Sequence, residues 1–141
     1  MKSKTIILSI HPRHVEKILS GEKRYEYRKQ IPTDIQYVVI YATAPIKKIV
    51  AVVNIDTILM DTPQNIWEQT KSGAGISQDF YTDYFKNKTV AYAIKFCKIH
   101  QLPNPVDYTV INGVKCAPQA YMYVNESIAD LCKKLSIILS K

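Results

Sequence analysis

The sequence predicts a single α+β domain over residues 1–141: a small mixed β-barrel of five to six strands, short helices at its flanks, and one more helix at the C-terminal end. Three observations predict it. Runs rich in Val, Ile and Tyr recur along the chain, β-branched in the way strands favour. Two of the intervals between them open with helix-start signals, at Pro12 and at Thr62-Pro63. The length, with 47% hydrophobic and 22% charged residues, suits one globular unit with a usable core.

The elements follow in chain order. "TIILSI" (5–10) reads as a buried first strand. Pro12 sits where a first helical turn tolerates it; Val15, Ile18 and Leu19 make one apolar face, and Gly21 supplies the stop, so 12–20 is an amphipathic helix. Residues 23–29 form a strand in which Lys23, Tyr25, Tyr27 and Lys29 face one way and Arg24, Glu26 and Arg28 the other. Residues 36–43 and 47–60 are two core strands separated by Ala44-Pro45, the second long enough to bend around a barrel. Thr62-Pro63 opens a helix running to about Lys71, with Trp67 as its packing anchor. "SGAGIS" (72–77) is a glycine loop, and Ser77 caps a short helix over 78–85. Residues 89–96 are a strand. Residues 100–118, with Pro103, Pro105, Gly113 and Pro118, read mostly as connection, with a short strand in 107–111. Residues 119–124 are a last strand. Asn125 caps a terminal helix over 125–141 whose Ile128, Leu131, Leu135 and Ile138 form a core-facing stripe.

Composition narrows the function classes. No apolar run approaches the ~18 residues a membrane span needs. The start reads as a strand and not as a signal peptide, so a cytoplasmic protein without membrane contact is expected. Cys97, Cys116 and Cys132 are odd in number and widely spaced, which suggests neither disulfides nor a metal site; they read as small buried hydrophobes. His14 and His100 lack partners at metal spacing, so no metal and no cofactor is expected. "SGAGIS" lacks the lysine of a phosphate loop and reads instead as a flap. Ser72 and Ser77 have no His-Asp partner set, which argues against a serine hydrolase.

The charge is uneven. Of the formal net +7, residues 1–50 carry +6, from ten basic and four acidic residues. All three arginines, Arg13, Arg24 and Arg28, lie in the first 28 positions. Such a surface attracts phosphates. The densest stretch is "GEKRYEYRK" (21–29). Glu26 and Arg28, two apart on a strand, share a face, so the guanidinium can fix the carboxylate toward a base edge or be held toward a phosphate. Strand twist or a bulge beside Gly21 would turn Lys23 into the same cleft, where desolvation would lower its amine pKa and make it a base or nucleophile. The same residues would also suit a solvated ladder of cross-strand ion pairs.

"HPRHVEKILSGEKRYEYRK" resembles the opening of ASCH domains, members of the PUA-like β-barrel superfamily, whose pattern places Gly-x-Lys-x-x-Glu-x-Arg on the second strand. Gly21, Lys23, Glu26 and Arg28 match it position by position. "YATAPIKKIVAVVNI", "AYAIKF" and "CAPQAYMYV" look like later parts of that domain, so the resemblance covers about 4–124 and leaves the terminal helix outside.

The resemblance implies a curved barrel with a cleft beside the first helix. It also implies a link to RNA or to a modified nucleoside or nucleotide. Arg13, Arg24 and Arg28 would then meet phosphate and Glu26 would read a base. His11 would stand at the cleft mouth, or act as a helix cap. By residue type Tyr41, with Tyr25, Tyr27, Tyr81, Tyr84, Tyr92, Tyr121 and Tyr123, reads as a barrel-wall residue or a stacking ring. The resemblance lets Gln119 read a base edge. Some members resemble amidohydrolases of acylated cytidine with a lysine, a threonine and a glutamate. Lys23 matches the lysine, Glu26 stands where the threonine would be, and Asp79 or Asp83 is the nearest carboxylate for the third role. A binding module is therefore the leading expectation, with Lys23 and Glu26 as the catalytic pair of an amidohydrolase as the alternative. A basic face docking on an acidic protein partner is a third.

Overall fold

The structure is a computed structural model and describes residues 4–138. Its strands are β1 (Thr5–Ile10), β2 (Tyr25–Arg28), β3 (Tyr37–Ala42), β4 (Lys48–Asp61), β5 (Ala91–Val106) and β6 (Tyr121–Tyr123); its helices are α1 (Pro12–Ser20), α2 (Pro63–Thr70), α3 (Gln78–Tyr84) and α4 (Ile128–Leu135). The strands form one sheet in the order β2-β5-β4-β3-β1-β6. β1 and β3 run parallel and the other neighbours antiparallel, so the sheet is mixed as expected. β4 and β5 are 14 and 16 residues long. Register shifts between Asn54 and Ile55 and between Ile55 and Thr57 bend them, and the sheet curls into a half-barrel with β2 and β6 at its edges.

β1 explains the unbroken run "TIILSI". Ile6, Leu8 and Ile10 enter one core, where Val15 and Ile18 of α1 pack; Ile7 enters another on the opposite face, with Leu131 and Leu135 of α4. A strand buried on both faces needs no polar alternation. Each fully buried aliphatic side chain contributes about 1.5–3 kcal/mol. α1 is therefore held against one face of the sheet by Val15 and Ile18, with Gly21 as its left-handed C-cap at φ 87°. A third cluster joins Tyr27 of β2 to Ile66 of α2 and to Tyr81 and Phe85 at α3. Trp67 stacks on Tyr81 with ring centroids 4.7 Å apart, the anchor role expected of it.

Several expectations are corrected. β5 runs on to Val106, far past residue 96. Ala51 pairs with Gln101 and Ile49 with Val106, so Pro103 and Pro105 fall within a register shift that asks no ladder bond of them. Residues 108–110 form a 3₁₀ turn instead of a strand. Ser127, not Asn125, caps α4, accepting from the Asp130 N–H, and the helix stops at Ser136, whose φ is 57°. Ile138 is 91% exposed, and the rest of the expected helix, 139–141, lies outside the described residues. Cys97 and Cys116 are exposed; only Cys132 of the three is buried. Among the described residues no helix is long and apolar enough to cross a membrane.

Candidate functional site

Lys23 is the first residue to account for, because its side chain is 2% exposed. It precedes β2, so strand alternation does not bind it. Its backbone N–H donates to Lys17 O at 2.9 Å, which turns the side chain inward behind α1. The segment 73–75 then lies across it. Lys23 Nζ donates to Ala74 O at 2.9 Å, and Lys17 Nζ to Gly75 O at 3.0 Å. Gly75 has φ +68°, and a Cβ there would stand 2.5 Å from Lys23 Cβ. The glycine loop expected as a flap is thus packed directly on the lysine. The ammonium sits 4.9 Å above the Tyr27 ring. Burial lowers the pKa of Lys23, against the opposing pull of Glu26.

Glu26 joins the two cations. Its Oε2 accepts from Arg28 Nη2 at 2.8 Å and Nε at 3.1 Å, while Oε1 stands 3.8 Å from Lys23 Nζ. That last distance is an ion pair and not a hydrogen bond. Arg28 Nη2 also donates to Ser9 O at 2.8 Å. Ser9 Oγ in turn donates to Pro118 O at 2.6 Å, so the loop before β6 braces the arginine through β1.

These groups line a cavity of about 200 Å³ with His11, His14, Tyr27, Ile76, Phe80 and Tyr84. His11 is first a cap, since its Nδ1 accepts from the Arg13 N–H at 3.1 Å. His14 stands edge-on to Phe80, with ring centroids 5.7 Å apart. Its Nδ1 is buried without a hydrogen-bond partner, and burial lowers its pKa. Tyr84 is pushed up in pKa by burial and closes one wall. The arrangement offers an ammonium donor and a carboxylate acceptor side by side, between aromatic walls.

The structure brings His11, Lys23, Glu26 and Arg28 of the expected residues to this cavity. Arg13 lines an adjoining hollow. Arg24 does not join them: its guanidinium lies against Gly73, with Nη2 3.4 Å from Ser72 Oγ. Tyr41 is buried in the core on the other face of the sheet, against Tyr108. Gln119 is exposed and outside the cavity lining. Asp79 and Asp83 lie on the outer face of α3 with Lys86. Sequence reasoning did not assign His14, Tyr27, Ile76, Phe80 and Tyr84 to the site. The last three repeat at intervals of four, one stripe of α3 and its approach, while Tyr81 and Phe85 form the neighbouring stripe into the core. Among the described residues no cluster of His, Cys, Asp and Glu could hold a metal ion.

A family model, that of the ASCH domain, matches residues 8–100. A curated relative from Zymomonas mobilis, named as an ASCH domain-containing ribonuclease, is 26% identical over 114 residues, which cover 79% of this chain and 76% of that protein. Large ribosomal subunit protein uL22 of Ureaplasma parvum is 26% identical over 124 residues; these make up 86% of this chain but only 40% of that protein. The crystal structure of ASCH from Zymomonas mobilis superposes with a TM-score of 0.82 at 24% identity, covering 94% of each chain.

Proposed function

The chain belongs to the ASCH domain family, and from that premise we propose that it is an RNA-binding module whose cavity receives one base or modified base. One observation carries the reading. Glu26 Oε1 faces Lys23 Nζ at 3.8 Å, too far to satisfy either, so both keep capacity for a ligand while being almost shut off from water. A nucleobase edge presents adjacent donors and acceptors of that kind, and Phe80 and Tyr84 supply aromatic surface for its faces. A cavity of about 200 Å³ suits one ring system better than a larger ligand. RNA is favoured as the polymer because a relative covering most of this chain is named a ribonuclease. Anisotropy titrations with labelled single-stranded RNA at two salt concentrations test it. Affinity at low salt that weakens steeply with added salt is the expected result. Absence of binding to RNA, DNA and nucleotides at low salt removes the reading.

A second reading is hydrolysis, favoured by the buried Lys23 amine, whose lowered pKa suits a base or nucleophile. Glu26 would then move protons. Release of free acid from an acetylated cytidine, or cleavage of RNA, should be abolished in Lys23→Ala. Turnover that survives the substitution excludes this chemistry at Lys23.

A further inference from the structure

A second hollow, of about 250 Å³, adjoins the first. His14, Ile76 and Phe80 line both. Beyond that shared wall it is lined by Arg13, Lys17 and Ser77. Arg13 and Lys17 stand four apart on α1, one turn from each other on the same face.

The cations of the region divide by what already holds them. Arg28 is spent on Glu26 and on Ser9 O. Arg24 lies away against Gly73. Lys23 is buried in the first cavity. Lys17 Nζ donates to Gly75 O and stands 3.7 Å from Glu22 Oε2, with its side chain 39% exposed. Arg13 is exposed, and its guanidinium forms no hydrogen bond or ion pair with another described residue. Lys29 Nζ stands 4.7 Å over the Tyr84 ring, at a wall of the first cavity and outside the lining of the second. The positive charge that lines the second hollow therefore belongs to α1, one wall away from the base-reading groups.

We propose that the ligand unit is a nucleotide and not a free nucleoside, with the base in the first cavity and its phosphate in the second, on Arg13 and Lys17. This rests on the reading above that a base enters the first cavity. His14 and Phe80 form the ridge over which the sugar passes, with their rings edge-on. Arginine suits the phosphate role because its fork donates two parallel hydrogen bonds to phosphate oxygens. Lys17 adds a point charge that Glu22 partly neutralises. Glu22 is exposed, so its carboxylate competes with an arriving phosphate at little structural expense.

The test titrates the full chain with adenosine, cytidine, guanosine and uridine, with their 5′- and 3′-monophosphates, and with a labelled single-stranded RNA, all at low salt. The expected result is that one monophosphate binds about 10-fold tighter than its nucleoside, the size of one charge-assisted contact. Arg13→Ala should remove most of that advantage, weakening the monophosphate far more than the nucleoside. Glu22→Gln should enlarge it. Equal affinities for nucleoside and monophosphate, while the RNA still binds, overturn the two-compartment arrangement and leave base capture standing. An advantage that survives in the Arg13→Ala, Lys17→Gln double variant also overturns it. Failure of every probe, RNA included, overturns both.

Discussion

Lys23 Nζ and Glu26 Oε1 lie 3.8 Å apart, on side chains 2% and 9% exposed. A buried couple at that separation is a poor source of stability. Both ions have lost hydration, and neither gains a hydrogen bond from the other. Replacing Lys23 by Met keeps the stem's apolar volume and leaves Glu26 bonded to Arg28, and relief from burying an ammonium offsets the lost bond to Ala74 O. Chemical denaturation of Lys23→Met should show an unchanged or higher midpoint. A large loss of stability would mean the ammonium is structural.

Glu26 is the opposite case. Glu26→Ala leaves Lys23 buried beside Arg28 with no counter-charge, and such losses cost about 3 kcal/mol or more. Urea denaturation measures it. A cost under about 1 kcal/mol, the range of exposed pairs, would show that water screens the cluster.

The strap over Lys23 makes a paired prediction. Gly75→Ala meets left-handed backbone strain and a contact 3.0 Å from Lys23 Cα, so strap or lysine must move. Gly113, with φ +82°, has nothing within 4 Å of its Cβ position, so Gly113→Ala meets strain alone. The second should cost about 1 kcal/mol and the first clearly more, with loss of ligand affinity confined to the first. Equal costs would show that the strap is not packed on the lysine.

His14 gives a pH prediction. Its folded pKa lies below 6.5, so the unfolded chain takes up the proton first as pH falls. Stability from this group is full above pH 6.5 and is lost as pH drops toward the folded value. Desolvation is the main cause, Glu26 opposes it, and Lys23, Arg13 and His11 add to it. His14→Phe should flatten the decline in thermal midpoint between about pH 7 and pH 5. An unaltered decline would assign it to other groups.

Much of this was legible in the sequence because local signals and tertiary packing agree. The cap-proline starts at Pro12 and Thr62-Pro63 and the Gly21 stop rest on backbone chemistry that packing did not override. The Glu26–Arg28 pair followed from strand spacing. The inward turn of Lys23 is set by the bond from its own N–H to Lys17 O and by a strap bonded to it from 51 residues away, and no local pattern encodes that. Arg24 was misjudged for the same reason: β2 begins at Tyr25, so Arg24 escapes its alternation and reaches the strap's other side. β5 was cut short because its prolines look like loop, and only the bulged partner strand makes them tolerable.

The most direct test compares the affinity of wild type and Lys23→Met for one labelled single-stranded RNA at low salt, with denaturation curves recorded on the same samples. If the buried ammonium reads a base, the variant binds about 10-fold or more weakly while unfolding at the same or a higher midpoint. Equal RNA affinity in the two proteins, both fully folded, would contradict recognition at this cavity.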